Sequence, residues 1–365
     1  MRKKNIFLIL FFILTINLLF AFDYNYQKLN YSATNYAFGL YSGGSNIWNK
    51  NPLDIWSNPA KLGYYNGISF GYSNYDWLKS NTYKYAYLTI ADKGMGLAFP
   101  IIGSDFGKIT NMDQNGNIVD EYDNKIKTYA IGINFFQLTN NVFSNGNFES
   151  ISKRVDLSIG YSYLDLPDKS FGKDAKDIYT DNLGIILRYS PVRFDTKKNM
   201  INMDFVSSYN WLNFTKTKFK MNDETEQIVY KKLISGRQFE IASKFAISSY
   251  LLKNILPDNF YKFSSNFINN ALSFYANYNY SVMDGEKSNA KGMELTLCDI
   301  ISGRYGYFSG KEIKGTTMGL GLNLSYKKYF KIQYNISSIP LANERQTVND
   351  WMINIDFLRI FGLDK

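Results

Sequence analysis

Histidine is absent from this 365-residue chain, and cysteine occurs once, as Cys298. The first absence removes histidine-dependent triads, imidazole metal ligation and histidine general acid/base chemistry. The second removes any intramolecular disulfide. Nucleophile-elbow, phosphate-loop and EF-hand patterns are missing too, and Asp and Glu fall mainly in turns and on alternating faces. No enzymatic site, no metal and no cofactor are therefore expected. Nor is charge of one sign concentrated: 41 Lys and Arg stand against 32 Asp and Glu, a formal +9 at pH 7. Without a dense basic run, nucleic acid is not an expected partner.

Long apolar runs are confined to the first residues. Arg2, Lys3 and Lys4 precede an apolar stretch over 6–20, broken by Thr15 and Asn17, and the small residue Ala21 follows. These are the marks of a secretory signal peptide over 1–21; the stretch is shorter than the roughly 20 residues a membrane helix needs. Past it nothing approaches a transmembrane helix, and the mean hydropathy of −0.27 would suit a soluble protein.

What the chain has in quantity is aromatic residues, 17% with 30 Tyr and 28 Phe, and apolar/polar alternation. A strand sends successive side chains to opposite faces. The run Val155-Asp156-Leu157-Ser158-Ile159-Gly160-Tyr161-Ser162-Tyr163 puts apolar and aromatic residues on one face and Asp, Ser, Gly and Ser on the other. Residues 318–326 repeat the pattern, and 330–336 does so with Lys331 on the polar face. A wall between lipid and water requires this alternation, average hydropathy cancels in it, and aromatic residues form its interfacial girdles. The expected fold class is all-β, a transmembrane antiparallel β-barrel. Fourteen strand candidates fall at 65–74, 82–91, 93–101, 126–138, 152–164, 180–190, 201–212, 236–249, 270–282, 291–298, 302–309, 315–326, 329–338 and 349–360. An even count returns both ends to the periplasmic side of a bacterial outer membrane, and a secreted sandwich would need shorter, denser strands. A positive lumen would favour anionic solutes, although scattered charge on a barrel is usually solvated surface.

Between leader and barrel (63–361) lies a segment, 22–62, rich in Asn, Tyr, Ser and Gly and poor in alternation. Its centre holds two Asn-Pro turn signals and two tryptophans, Trp48 and Trp56, and it is expected to pack in the barrel mouth as a plug. Pro52 and Pro59 rigidify it, and the tryptophans would anchor it to the inner wall. With the first strand rising outward, the outer connections 102–125, 165–179 and 213–234 are long and polar, whereas the turns at 91–93 and 327–328 are short. Residues 250–269 dissent, being periplasmic yet long. Their apolar spacing, interrupted at Pro257, predicts a short helix or helix pair at the inner interface. Pro100, followed by Gly103, lies at the end of the third strand candidate. A proline there marks a strand end, a bulge or a gap that opens sideways into lipid, and a plain strand end is the expectation.

The segment Asp54-Ile55-Trp56-Ser57-Asn58-Pro59-Ala60-Lys61-Leu62 resembles the Asn-Pro-Ala motif before the first strand of FadL-like and PorV/PorQ-like outer-membrane barrels. Residues 291–295, 299–307 and 315–326 are similar in order and spacing to the closing strands of PorV-like proteins. The resemblance implies a fourteen-stranded barrel with an N-terminal plug carrying Trp48, Trp56, Asn58, Pro59, Ala60 and Leu62, and two functional expectations. The first is a non-enzymatic adaptor of type IX secretion. Its outer loops would bind secreted proteins bearing a C-terminal β-domain and meet a type IX translocon. The alternative is a FadL-like transporter of long-chain fatty acids or other hydrophobic small molecules, with Pro100 and Gly103 as its lateral gate. The chain departs from commonly seen barrels in continuing past Phe361 to Gly362-Leu363-Asp364-Lys365.

Overall fold

A computed structural model describes residues 33–37, 44–77, 81–112, 118–143, 154–166, 178–192, 200–216, 218–222, 228–233, 235–283, 285–310, 314–327, 329–341 and 344–361. The leader, and the plug candidate outside 33–37 and 44–62, lie outside these residues. The strands are β1 (Gly67–Trp77), β2 (Asn81–Asp92), β3 (Met95–Met112), β4 (Ile118–Asn134), β5 (Val155–Asp165), β6 (Tyr179–Val192), β7 (Ile201–Leu212), β8 (Lys218–Asn222) and β9 (Ile228–Lys232). There follow β10 (Gly236–Ser248), β11 (Asn270–Met283), β12 (Glu286–Leu297), β13 (Ile301–Ser309), β14 (Lys314–Tyr326), β15 (Phe330–Leu341) and β16 (Glu344–Ile355). All but β8 and β9 close into one antiparallel barrel of fourteen strands, sealed where β1 pairs with β16 from Ile68↔Ile355 to Asn74↔Asn349. β8 and β9 form a separate hairpin inside the connection expected at 213–234.

Closure follows from the alternation. On β14 the outward Met318, Leu320, Leu322 and Leu324 are more than half exposed, while Thr317 is fully buried. The inward positions around the lumen read Ser69, Ser158, Asn210, Asn279, Asn335 and Asn354, all buried. An apolar exterior over a polar interior is the inverse of a soluble protein and is stable only in a bilayer, where a closed barrel satisfies every strand's backbone internally. No helix among the described residues is long and apolar enough to cross a membrane.

Strand number and order agree with the sequence expectation, and three local readings are corrected. β3 does not end at Pro100 but runs on to Met112 and pairs with β4, so most of the outer connection expected at 102–125 is a two-stranded hairpin that continues past the ring. The fourth strand stops at Asn134, whose side chain accepts from Gln137 N (3.0 Å) and starts a helix, Phe135–Phe143. The last strand stops at Ile355 because Asp356 accepts from Arg359 N (3.1 Å) and caps the short helix Phe357–Ile360. The long connection at 249–269 is a 3-10 turn, Ser249–Asn254, followed after Pro257 by the helix Asp258–Ser264.

Candidate functional site

The plug is built from one local device used twice. In each Asn-Pro pair the asparagine side chain accepts from the backbone two residues on, Leu53 N to Asn51 (3.1 Å) and Ala60 N to Asn58 (2.9 Å). The proline, which has no N–H to lose, takes the first helical position. The results are the 3-10 turns Pro52–Trp56 and Pro59–Tyr64. They are joined by a fully buried ion pair, Lys61 to Asp54 at 3.1 Å, and Asn49 Nδ2 also donates to Asp54 (2.9 Å). Burial pulls the Lys61 ammonium below the ordinary lysine range, against the raising pull of Asp54.

The wall receives the second turn in a groove of glycines. Gly96, Gly132, Gly160 and Gly184 pair in register across β3, β4, β5 and β6, all on the lumen face. A Cβ on Gly132 would meet Leu62 Cβ at 2.7 Å, and one on Gly96 would meet the Leu62 carbonyl at 2.5 Å. At Gly160 and Gly184 it would strike the backbone of Pro59 and Ala60 and the side chain of Asn58. Hydrogen bonds then fix the seat: Ser158 Oγ to the Ala60 carbonyl (2.6 Å), Asn210 Nδ2 to that of Ser57 (3.0 Å) and Asn58 Nδ2 to that of Tyr209 (3.3 Å). Farther back in the chain, Glu240 on β10 accepts from Gly44 N (2.9 Å) and Ser45 Oγ (2.5 Å), and Asp350 on β16 accepts from Ala33 N (2.6 Å).

The six plug residues singled out in the sequence thus fall on two sides of the segment. Asn58, Pro59, Ala60 and Leu62 meet the glycine groove. Trp56, with Leu53, Ile55 and Tyr65, joins an apolar cluster completed by Tyr85, Tyr87, Ala98, Ile126, Ala130 and Leu164 of the wall. Trp48 faces the other way, edge-on to Tyr275 at 5.6 Å with the Lys244 ammonium 5.4 Å from its ring. The glycine register and the Lys61–Asp54 pair were not singled out in the sequence. The inward glycines of β4, β5 and β6 were the visible signal, but only pairing aligns them.

Pro100 and Gly103 flank a break in the wall. β3 pairs with β4 at Ala98↔Ala130 and again at Ser104↔Ile126, so residues 99–103 and 127–129 have no ladder partners across this seam. On the β2 side the register jumps from Tyr87↔Pro100 to Ala86↔Gly103. Ile101 and Ile102 both face outward, at 55% and 39% exposure, where alternation allows one. Gly103 has φ of +81°, a conformation that favours glycine, and a Cβ there would meet the Ile126 carbonyl at 2.5 Å. Behind the break, on the lumen side, Tyr87 OH bonds Ser104 Oγ (2.9 Å) and donates to Thr128 Oγ1 (3.3 Å), tying β2, β3 and β4 where the ladder is missing.

No family model matches the sequence, and no curated protein matches it. Among solved structures the chain is similar to the Ralstonia pickettii toluene transporter TbuX, with TM-score 0.39 and 9% identity over 91% of this chain and 100% of that one. It is similar to the Pseudomonas putida toluene transporter TodX, with TM-score 0.39 and 11% identity over 91% and 97% of the two chains. It is also similar to a Pseudomonas aeruginosa FadL homologue, with TM-score 0.37 and 9% identity over 90% and 98%. Likeness at this level does not extend to what any of these proteins carries. The closed wall, its apolar exterior and its even strand count make the chain an integral outer-membrane β-barrel whose lumen holds its own N-terminal segment.

Proposed function

We propose that the barrel admits hydrophobic small molecules and releases them sideways into the membrane through the seam between β3 and β4. The observation that carries this reading is the placement of the seam. Tyr87, Ala98, Ile126 and Ala130 border it, and all four belong to the apolar cluster of the lumen. Backbone groups left without partners at membrane depth cost several kcal/mol each in hydrocarbon. A wall that leaves five residues of one strand (99–103) without partners on the β4 side, and lays side-chain hydrogen bonds behind them, has a joint that opens more readily than a fully laddered seam. With the plug seated in the lumen, an apolar solute gains by leaving laterally into hydrocarbon. Toluene, named for two of the similar transporters, and a long-chain fatty acid are apt probes.

The experiment is a staple across the seam: Ser104→Cys with Thr128→Cys, in a chain whose native thiol is removed by Cys298→Ser. Both side chains already reach the same Tyr87 hydroxyl. With the disulfide formed, uptake of labelled toluene or oleate into cells carrying the barrel drops to background, and reduction restores it. Unchanged uptake through the stapled barrel would sink the lateral route.

The adaptor reading rests on the resemblance of the plug and closing strands and on long polar outer loops. One of the outer connections it would use, 102–125, is largely an ordered two-stranded hairpin and not free chain. Co-purification of proteins sharing a C-terminal β-domain from native membranes would favour that reading over transport.

A further inference from the structure

On the other side of the plug, away from the apolar cluster, the lumen holds a chamber of about 820 Å³ between the plug and the turns at the end where β1 begins and β16 finishes. Its charged lining is Lys50, Arg188, Lys244, Arg304 and Lys331 against Glu294 and Asp299. Much of this charge is matched internally. Arg304 donates to Glu294 at 2.5 Å, and Arg188 lies 3.1 Å from Asp156. Asp299 accepts from the backbone of Asn269 (2.9 Å) and Asn270 (2.7 Å), neutral donors that leave its negative charge in the lining. Lys244 of β10 and Lys331 of β15 make no ion pair among the described residues.

The two lysines stand at inward positions of strands five places apart around the barrel, so they address one enclosed space from different sides. Like charges in a restricted volume repel; Glu294 and Asp299 of the same lining offset them in part, and an entering anion completes the match. Neighbouring inward positions are Ala242, Ala246 and Gln333, so the wall does not need charge there to stay hydrated. The lining also leaves two buried acceptors without partners, Asn323 Oδ1 and Gln333 Oε1, which call for hydroxyl or amide donors on the occupant. Trp48 closes the chamber from the plug, with Lys244 against its ring.

We infer that this chamber binds a small hydrophilic anion, a hydroxylated carboxylate or phosphate, held by Lys244 and Lys331. The site is separate from the apolar route and faces the opposite end of the lumen. It gives the barrel a second, water-soluble ligand whose contact with Trp48 touches the plug directly.

The full chain in nonionic detergent is titrated calorimetrically with glucose 6-phosphate, gluconate and glucose at fixed ionic strength. The two anions bind saturably and glucose does not. Lys244→Met and Lys331→Met each weaken anion binding about tenfold, the size of one lost charge-assisted contact. Lys327→Met, which alters an exposed turn, leaves it unchanged. Retained heat-modifiable migration of each variant shows that the wall is intact. Equal binding of glucose, no saturable binding, or indifference to both lysine substitutions would overturn the site. So would tighter binding of dihexanoylphosphatidate than of glucose 6-phosphate, which would assign the lysines to a lipid headgroup.

Discussion

At the residue scale the plug turns on the fully buried pair of Lys61 and Asp54. Two charges taken out of water are tolerated only while they hold each other, and removing one partner of such a pair typically costs about 3–5 kcal/mol. Asp54→Asn leaves the ammonium without its counter-charge and should unseat the turn, read as trypsin cleavage within 44–64 while the barrel stays resistant. The pH dependence has a definite sign. Burial already lowers the Lys61 pKa in the folded state, and losing the raising contribution of Asp54 lowers it further. Between that lowered value and the ordinary 10.5, the seated form binds fewer protons than the released one, so seating strengthens as pH rises. Cleavage of the variant should therefore decline toward alkaline pH; protection independent of pH would remove the electrostatic account.

At the element scale, the glycine row is a property of four strands together. Any one of these glycines reads as a weak strand residue, and valine would raise the local β-propensity. In register they lower the lumen wall by one side chain and admit backbone against backbone. Gly160→Val should consequently fold into the barrel and yet expel the Pro59–Tyr64 turn, because an added Cβ meets main chain that cannot swing aside. Gly303→Ala is the control, since nothing lies within 4 Å of its added Cβ. Protease protection of the plug and barrel migration on gels, measured for both variants, separate seating from folding. Were Gly160→Val to keep a protected plug, the groove would not be its seat. The same scale explains Pro100: proline demanded an interruption, and the strand met that demand with a bulge in mid-strand instead of an end.

At the scale of the whole molecule, the wall and the plug are expected to separate in stability though not in function. The fourteen-strand ladder takes none of its strands from residues 44–64. Deleting them would leave Glu240 without its bonds to Gly44 and Ser45, and Ser158 and Asn210 without theirs to Ala60 and Ser57. These groups line a lumen that water would then fill, so hydration would replace what they lose. The deletion variant should insert and remain folded but conduct ions in planar bilayers, where the intact protein conducts poorly. An intact protein that conducts as freely as the deletion would contradict the plug.

Much of this architecture was legible in the chain itself. Period-two alternation is local, so strand number, the lipid-facing side of each strand and the polarity of the lumen could be read residue by residue. The two Asn-Pro turns were equally legible, because an asparagine that caps its own turn needs no distant partner. Register could not be read that way. Which glycine meets which, where β3 parts from β4, that Tyr87 reaches both Ser104 and Thr128, and that Lys244 and Lys331 share one chamber all depend on how the strands stagger when the barrel closes. That stagger is set by the sum of pairings around a ring, a quantity no single segment carries, so the tertiary structure alone decided where the plug sits, where the wall is weak and where its charge is gathered.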